Sequence, residues 1–461
     1  MGRVVGKRSW EESKKTWHIA GPAILTGIFQ FTIGFATVAF AGHLGEVELA
    51  AVSIAQAVVE GFAYGFMLGM GSALETLCGQ AVGAGQLRML GIYTQRSWII
   101  CGVTALVLTP LYVFTSPILQ LLRQSTEISE LAGKYCIWVI PQLFAYAVNF
   151  PIQKFLQSQS KVWVMTMISG VALAVHILLN WLFVTKLRQG LAGAAIAGNI
   201  SWWLINLGQL IYMMSGCFPE AWTGFSVSAF KSLTAFVRLS LASAVMLCLE
   251  LWYYTAVIIL VGYLKNPGIA ISAISICMNF QLWAIMIALG FNAAVSVRVS
   301  NELGAGHPKA AKFSVIIAVS TSFLLGIILM AAVLGGRAYL PRFFTDEPDV
   351  VKETSKLAYI LGATILVNSI QPVLSGVAIG AGWQSLVAFI NIGCYYLIGL
   401  PIGAILGFIA KLNEMGIWLG MLGGCLLQTV ILLVVTFRTK WQQESSQAEE
   451  RIRTWGGENL T

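Results

Sequence analysis

Two carboxylates stand where a carboxylate is costly. Glu250 interrupts the apolar run 236–262 (FVRLSLASAVMLCLELWYYTAVIILVG), just before Trp252, Tyr253 and Tyr254, and Glu60 interrupts the run 49–71. A run of that length crosses a bilayer core, which takes about 20 residues at 1.5 Å rise each. An acid at the midplane costs roughly 2.5–3.5 kcal/mol on insertion scales, so an ionisable group there points to function. The chemistry it offers is proton exchange: burial disfavours the charged form of a carboxylate and moves its titration from about 4.3 toward neutrality. Glu250 is thus the candidate protonation site of a transport cavity. Tyr254, Asn279, Gln281, Tyr395 and Tyr396 are candidate companions, with Trp252, Tyr253 and Trp283 nearby in sequence. Aromatic rings can stack on flat ligands or attract cations. Tyr253 and Tyr254 point in different directions on a helix, so at most one shares the face of Glu250.

Hydrophobic residues make up 57% of the 461 and charged residues only 10%, a balance that a water-exposed surface does not tolerate. The expected class is an all-α polytopic membrane protein. Twelve spans are expected, with cores at 18–41, 49–71, 93–114, 131–152, 162–184, 191–214, 236–262, 269–295, 313–333, 355–378, 385–408 and 415–437. If the N-terminus is cytosolic, the inner loops and termini carry eighteen of the 28 Lys and Arg, which places both termini in the cytosol. That distribution also accounts for the net charge of +8, and no nucleic-acid partner is expected. The eight cysteines mostly lie in apolar runs without CxxC spacing and read as small buried hydrophobes. His18, His43, His176 and His307 lack ligand spacing, and no catalytic motif, metal site or cofactor site is expected.

The chain also repeats itself. Gly83-Ala84-Gly85 after span 2 returns as Gly304-Ala305-Gly306 after span 8, at an offset of 221 residues. Gly69 matches Gly290 and Pro151 matches Pro372 at the same offset; Gly42 matches Gly262 and Trp163 matches Trp383 at 220. Spans 1–6 and 7–12 are therefore two copies of a six-helix unit, running the same way through the membrane and related by a pseudo-twofold parallel repeat. The expected division is 1–17 as a cytosolic N-terminal segment, 18–214 and 233–437 as the lobes, 215–232 as their linker and 438–461 as a frayed polar tail. The Gly-Ala-Gly segments lack the Lys-Ser/Thr of a phosphate loop and read as turns. There Glu75 with Arg88, and Glu302 with Arg298, are candidate pairs or else solvated loop charges. In repeat register Gln30 takes the place of Glu250, and Gln281 that of Glu60. Glu60 is expected to be neutral and hydrogen-bonded to Gln30 or another polar group of its lobe, with a second proton site as the competing reading.

These residues resemble the multidrug and toxic compound extrusion (MATE) transporters, in their plant detoxification branch. The resemblance runs from Trp10 to about Trp441. It is carried by AGPAIL (20–25), AGHLG (41–45), SALETLCGQAVGAG (72–85), CLELWYY (248–254), RVSNELGAG (298–306), QPVLSGVAIGAGWQ (371–384) and NIGCYYLIGLP (391–401). It implies two six-helix bundles and cation-coupled export of organic compounds, proton-coupled in plant members, at the tonoplast or plasma membrane. The family's span-7 glutamate falls on Glu250. Some members place an aspartate in span 10; here the stretch reads Leu366-Val367-Asn368-Ser369, so Asn368 is the polar candidate and Glu250 the one titratable carboxylate of that site. The acid that some prokaryotic relatives carry in span 1 is replaced by Gln30. The expected activity is proton antiport of small, aromatic organic compounds by a monomer in a lipid bilayer. The alternative is a lipid or lipid-linked flippase, which calls for a basic cavity that these spans do not provide.

Overall fold

Apolar runs punctuated by short polar turns fold here as long helices, because a backbone in lipid must satisfy its own hydrogen bonds. The computed structural model describes residues 1–265 and 267–454. Spans 1 to 6 are Gly2–Gly42, Glu46–Gly83, Arg88–Val113, Thr126–Trp138 continued by Ile140–Ser158, Val162–Lys186 and Leu191–Met214. Spans 7 to 12 are Leu233–Gly262, Pro267–Gly304, Pro308–Gly335, Pro348–Ala381, Gln384–Ile409 and Asn413–Arg438. Among the described residues ten of these are long and apolar enough to cross a membrane, and span 4 makes an eleventh if its two halves, bent by 48°, are one crossing. Pro141, second residue of the later half, has no N–H to continue the earlier helix. Span 6 is more polar because of Asn199 and Asn206, and both amides are spent on span 4: they donate to the carbonyls of Trp138 (2.8 Å) and Ala145 (3.0 Å). The outward faces are apolar, as at Val103, Leu106 and Val107 of span 3 and Leu324 and Ile328 of span 9.

Packing divides the chain into two units. The C unit joins Met1–Ile24 to Val245–Glu449, and the N unit joins Leu25–Ala244 to the chain from Glu450. The helix of span 1 thus begins in one unit and ends in the other, and span 7 likewise changes unit at Ala244.

The two Gly-Ala-Gly segments end spans 2 and 8 in the same way. Gly85 (φ 75°) and Gly306 (φ 77°) adopt the left-handed conformation that glycine tolerates best. Each closes a Schellman cap: Gln86 N–H bonds Ala81 C=O at 2.9 Å, and His307 N–H bonds Glu302 C=O at 2.8 Å. These partners differ by 221 residues, so the repeat extends to individual backbone hydrogen bonds.

Within the N unit, side chains of spans 1 and 5 pair in a ladder. Thr26 meets Thr166 (2.8 Å), Gln30 Nε2 donates to Ser169 Oγ (3.3 Å), and Thr37 meets His176 (2.9 Å). The 215–232 linker is docked on span 3. Gln95 exchanges hydrogen bonds with Gly224 C=O (3.0 Å) and Ser226 N–H (2.9 Å), and Arg96 donates to Ser228 C=O (3.3 Å). Glu75 forms an ion pair with Lys154 of span 4 rather than with Arg88, which is exposed. Loop proximity suggests Arg88, but helix packing brings Lys154 to the buried face instead.

In the C unit the expected Glu302–Arg298 pair forms (2.7 Å) and is part of a larger cluster. Arg298 also holds both oxygens of Glu12, Nε to Oε1 at 2.9 Å and Nη2 to Oε2 at 3.0 Å, while Ser314 Oγ donates to Glu12 Oε1 at 2.8 Å. The tail is not frayed where it is described. Residues Trp441–Ile452 form a helix whose Trp441, Ser445, Ala448 and Ile452 are buried. Their 4-3-4 spacing places one stripe on the protein, and Ser445 Oγ donates to Leu303 C=O at 3.1 Å. Residues 455–461 of the expected tail lie outside the described residues.

Candidate proton and substrate site

Span 10 is where the C unit's site is made. Its helix ends at Asn368 and restarts at Gln371, because Pro372 cannot supply the N–H that would carry the first segment through. The restart places Gln371 and Ser375, one turn apart, against span 7. Gln371 Nε2 donates to Glu250 Oε1 at 3.1 Å and to Ser375 Oγ at 3.0 Å. Ser375 Oγ donates to the same Oε1 at 3.1 Å. From span 11, Asn391 Nδ2 approaches that oxygen at 3.5 Å, the outer limit for a hydrogen bond, and is shared with Met246 C=O at 3.3 Å. Gln428 of span 12 donates to Asn391 Oδ1 at 2.9 Å and orients that amide. Every donor converges on Oε1, and among the described residues Oε2 accepts none.

Tyr254, one turn from Glu250, lies on the same side of span 7, and its hydroxyl accepts from Asn368 Nδ2 at 3.2 Å. Tyr253 turns away, stacks on Tyr395 at 4.3 Å with planes 9° apart, and donates to Met421 C=O at 3.0 Å. Tyr395 and Tyr396 belong to a π-helical stretch, Ile392–Gly399, a local widening of the helix often found at functional sites. Tyr396 donates to Leu249 C=O at 2.8 Å and so braces the residue beside Glu250. The structure therefore brings Glu250, Tyr254 and Asn368 together, with Tyr395 and Tyr396 as supports.

Other candidates lie elsewhere. Asn279 is exposed and spends its amide on Ser275 C=O of its own helix. Trp252 and Trp283 are also exposed. Gln281 is buried, but among the described residues neither amide atom has a hydrogen-bond partner. Gln30 is engaged with Ser169 in the N unit. Glu60 is buried and, contrary to expectation, accepts no hydrogen bond from Gln30 or any other described residue. The ladder between spans 1 and 5 turns the Gln30 amide toward Ser169.

Sequence reasoning missed Gln371, Ser375, Asn391 and Gln428. One signal was present: a Gln and a Ser at i and i+4, straddling a proline inside an apolar span, put two polar groups on one face just after a helix break.

The MatE family matches residues 22–182 and 242–405. Protein DETOXIFICATION 33 of Arabidopsis thaliana is 56% identical over 455 residues, covering 99% of this chain and 94% of that protein. Protein DETOXIFICATION 29 of Arabidopsis thaliana is 55% identical over 447 residues, covering 97% and 89%. The crystal structure of the eukaryotic MATE transporter AtDTX14 superposes with a TM-score of 0.91 at 34% identity, over 96% of this chain and 99% of that one. Among transporters of this fold, twelve membrane helices form two bundles, as the repeat requires. This chain belongs to the MatE family and is a multi-pass membrane transporter, not an enzyme.

Proposed function

We propose that the chain exports or sequesters small organic compounds by proton antiport, with Glu250 as the residue that takes up and releases the coupling proton. The observation that carries this reading is the asymmetry of the carboxylate. Oε1 is held by Gln371, Ser375 and Asn391, whereas Oε2 is left without a hydrogen bond among the described residues. The held oxygen keeps the group in place in either protonation state, and the open one is where a proton can come and go. Among the described residues no lysine or arginine is paired with Glu250 to fix it as an anion. Tyr254, half-buried one turn away, supplies aromatic surface beside it, which suits flavonoid-, alkaloid- or xenobiotic-like cargo.

The chain works in this reading as a monomer at the tonoplast or plasma membrane with both termini in the cytosol, by alternating access. Uptake into proteoliposomes under an imposed pH gradient tests it. Glu250→Gln, which keeps shape and hydrogen bonding but not titration, abolishes gradient-driven uptake while the protein elutes and melts as the wild type does. Wild-type uptake by that variant defeats the assignment.

A further inference from the structure

The N unit carries a buried carboxylate that the proposed mechanism does not use. Glu60 closes a π-helical stretch, Ala55–Glu60, in span 2 and is 8% exposed. It makes no ion pair and accepts no hydrogen bond among the described residues. The buried ammonium of Lys154 is committed to Glu75, fifteen residues farther along the same span. One turn to either side of Glu60 stand Gln56 and Tyr64, both half-buried. Tyr146 of span 4 meets Tyr64 edge-on at 5.3 Å, and its hydroxyl accepts from Gln142 Nε2 at 2.9 Å.

The repeat supplies an independent observation. Gln281, 221 residues on, occupies the same position of the C unit and is 2% exposed, and among the described residues its amide too is without a hydrogen-bond partner. Both halves thus keep a buried polar group unpartnered at one and the same position. A buried polar group left without a partner is destabilising, and a partner from outside the chain would satisfy it. Only the N unit makes the group an acid and sets a pair of packed tyrosines, Tyr64 and Tyr146, beside its turn of helix; tyrosine ring faces attract cations.

We propose that Glu60, with Tyr64 and Tyr146, forms a second ligand site, separate from that of Glu250, which takes the positively charged nitrogen of an organic ammonium. That the ligand is cargo rests on the transport reading above; that it binds does not. The carboxylate supplies the counter-charge, and the tyrosines replace part of the water that the ammonium sheds.

Equilibrium binding to purified protein in lipid nanodiscs tests the site, with benzyltrimethylammonium as probe and its uncharged isostere neopentylbenzene as control. No pH gradient is applied, so a failure of proton coupling leaves the result unaffected. The ammonium binds the wild type at least about tenfold more tightly than the isostere, a difference of 1.4 kcal/mol. Glu60→Gln weakens it by about tenfold or more, Tyr64→Leu and Tyr146→Leu by a smaller factor, and Glu127→Gln, on an exposed carboxylate of the same unit, not at all. Thermal unfolding identifies a variant that has lost its fold, and the two tyrosine variants then carry the test. No binding to the wild type, no preference over the isostere, or wild-type affinity in Glu60→Gln or in both tyrosine variants overturns the proposal.

Discussion

A carbon atom added at Gly69 would come within 2.5 Å of Ala244 Cα, so spans 2 and 7 approach there almost backbone to backbone. The repeat reproduces the contact in the C unit. Gly290 is the counterpart of Gly69 and Ile24 that of Ala244, and a carbon added at Gly290 would strike the Ile24 side chain and lie 3.0 Å from Ala20 C=O. In the N unit the helix that approaches is the first part of span 7, and in the C unit it is the first part of span 1. Close packing of small residues is how helices associate in lipid, where no hydrophobic force drives them together.

Gly69→Val and Gly290→Val are therefore overpacked, at a cost of about 1–3 kcal/mol each. Both lower the thermal midpoint of the purified protein and slow transport. Gly102→Val is the control, since nothing lies within 4 Å of a carbon added there. An equal loss in all three variants would point to helix propensity rather than to packing.

Ser375 stands between Gln371 and Glu250, accepting from one and donating to the other. A hydrogen bond to a charged group contributes about 1.5–3 kcal/mol. Ser375→Ala is expected to cut gradient-driven uptake by roughly tenfold or more, at 1.4 kcal/mol per factor of ten. Ser375→Thr, which keeps the hydroxyl, retains most of it. Uptake assays on the two variants side by side check this, and equal losses would remove the hydroxyl from the account.

Arg298 and Glu12 have side chains only 12% and 9% exposed. Breaking such a pair from one side leaves the partner's charge buried, at about 3–5 kcal/mol. Arg298→Met is expected to lower stability by that order. Combining it with Glu12→Gln restores part of the loss, because one of the two carboxylates that Arg298 holds is no longer charged. A double-mutant cycle on detergent-solubilised protein measures the coupling, and strict additivity would show that the pair contributes nothing.

Of the eight cysteines seven are buried, and Cys217 in the linker is exposed. With both termini in the cytosol, six crossings return the chain to that side before Cys217. A membrane-impermeant maleimide is then expected to label the wild-type protein at one position, from the cytosolic face only. Labelling in sealed right-side-out and inside-out vesicles decides it, and modification from the opposite face would reverse the orientation.

Hydropathy and periodicity are local quantities, and much of this protein is legible from them. Long apolar runs in a bilayer have one satisfactory backbone conformation, so the helices follow from composition alone. The duplicated chain shows itself in markers such as Pro151 and Pro372, which recur whatever the side chains around them do. The rarity of ionisable groups in those runs singles out Glu250, and helical geometry lets at most one of Tyr253 and Tyr254 share its face; the packed structure makes it Tyr254. What surrounds the carboxylate was decided only in three dimensions. Its donors lie 121, 125 and 141 residues away, on spans whose rotation depends on all their neighbours. The break at Pro372 turns Gln371 inward, while Asn279, equally polar and nearer in sequence, faces outward. Glu75 meets Lys154 rather than Arg88 for the same reason, and Glu60 is left alone because Gln30 is already bonded to Ser169. Composition sets which segments enter the membrane, but the direction a polar side chain faces there is a property of the packed bundle.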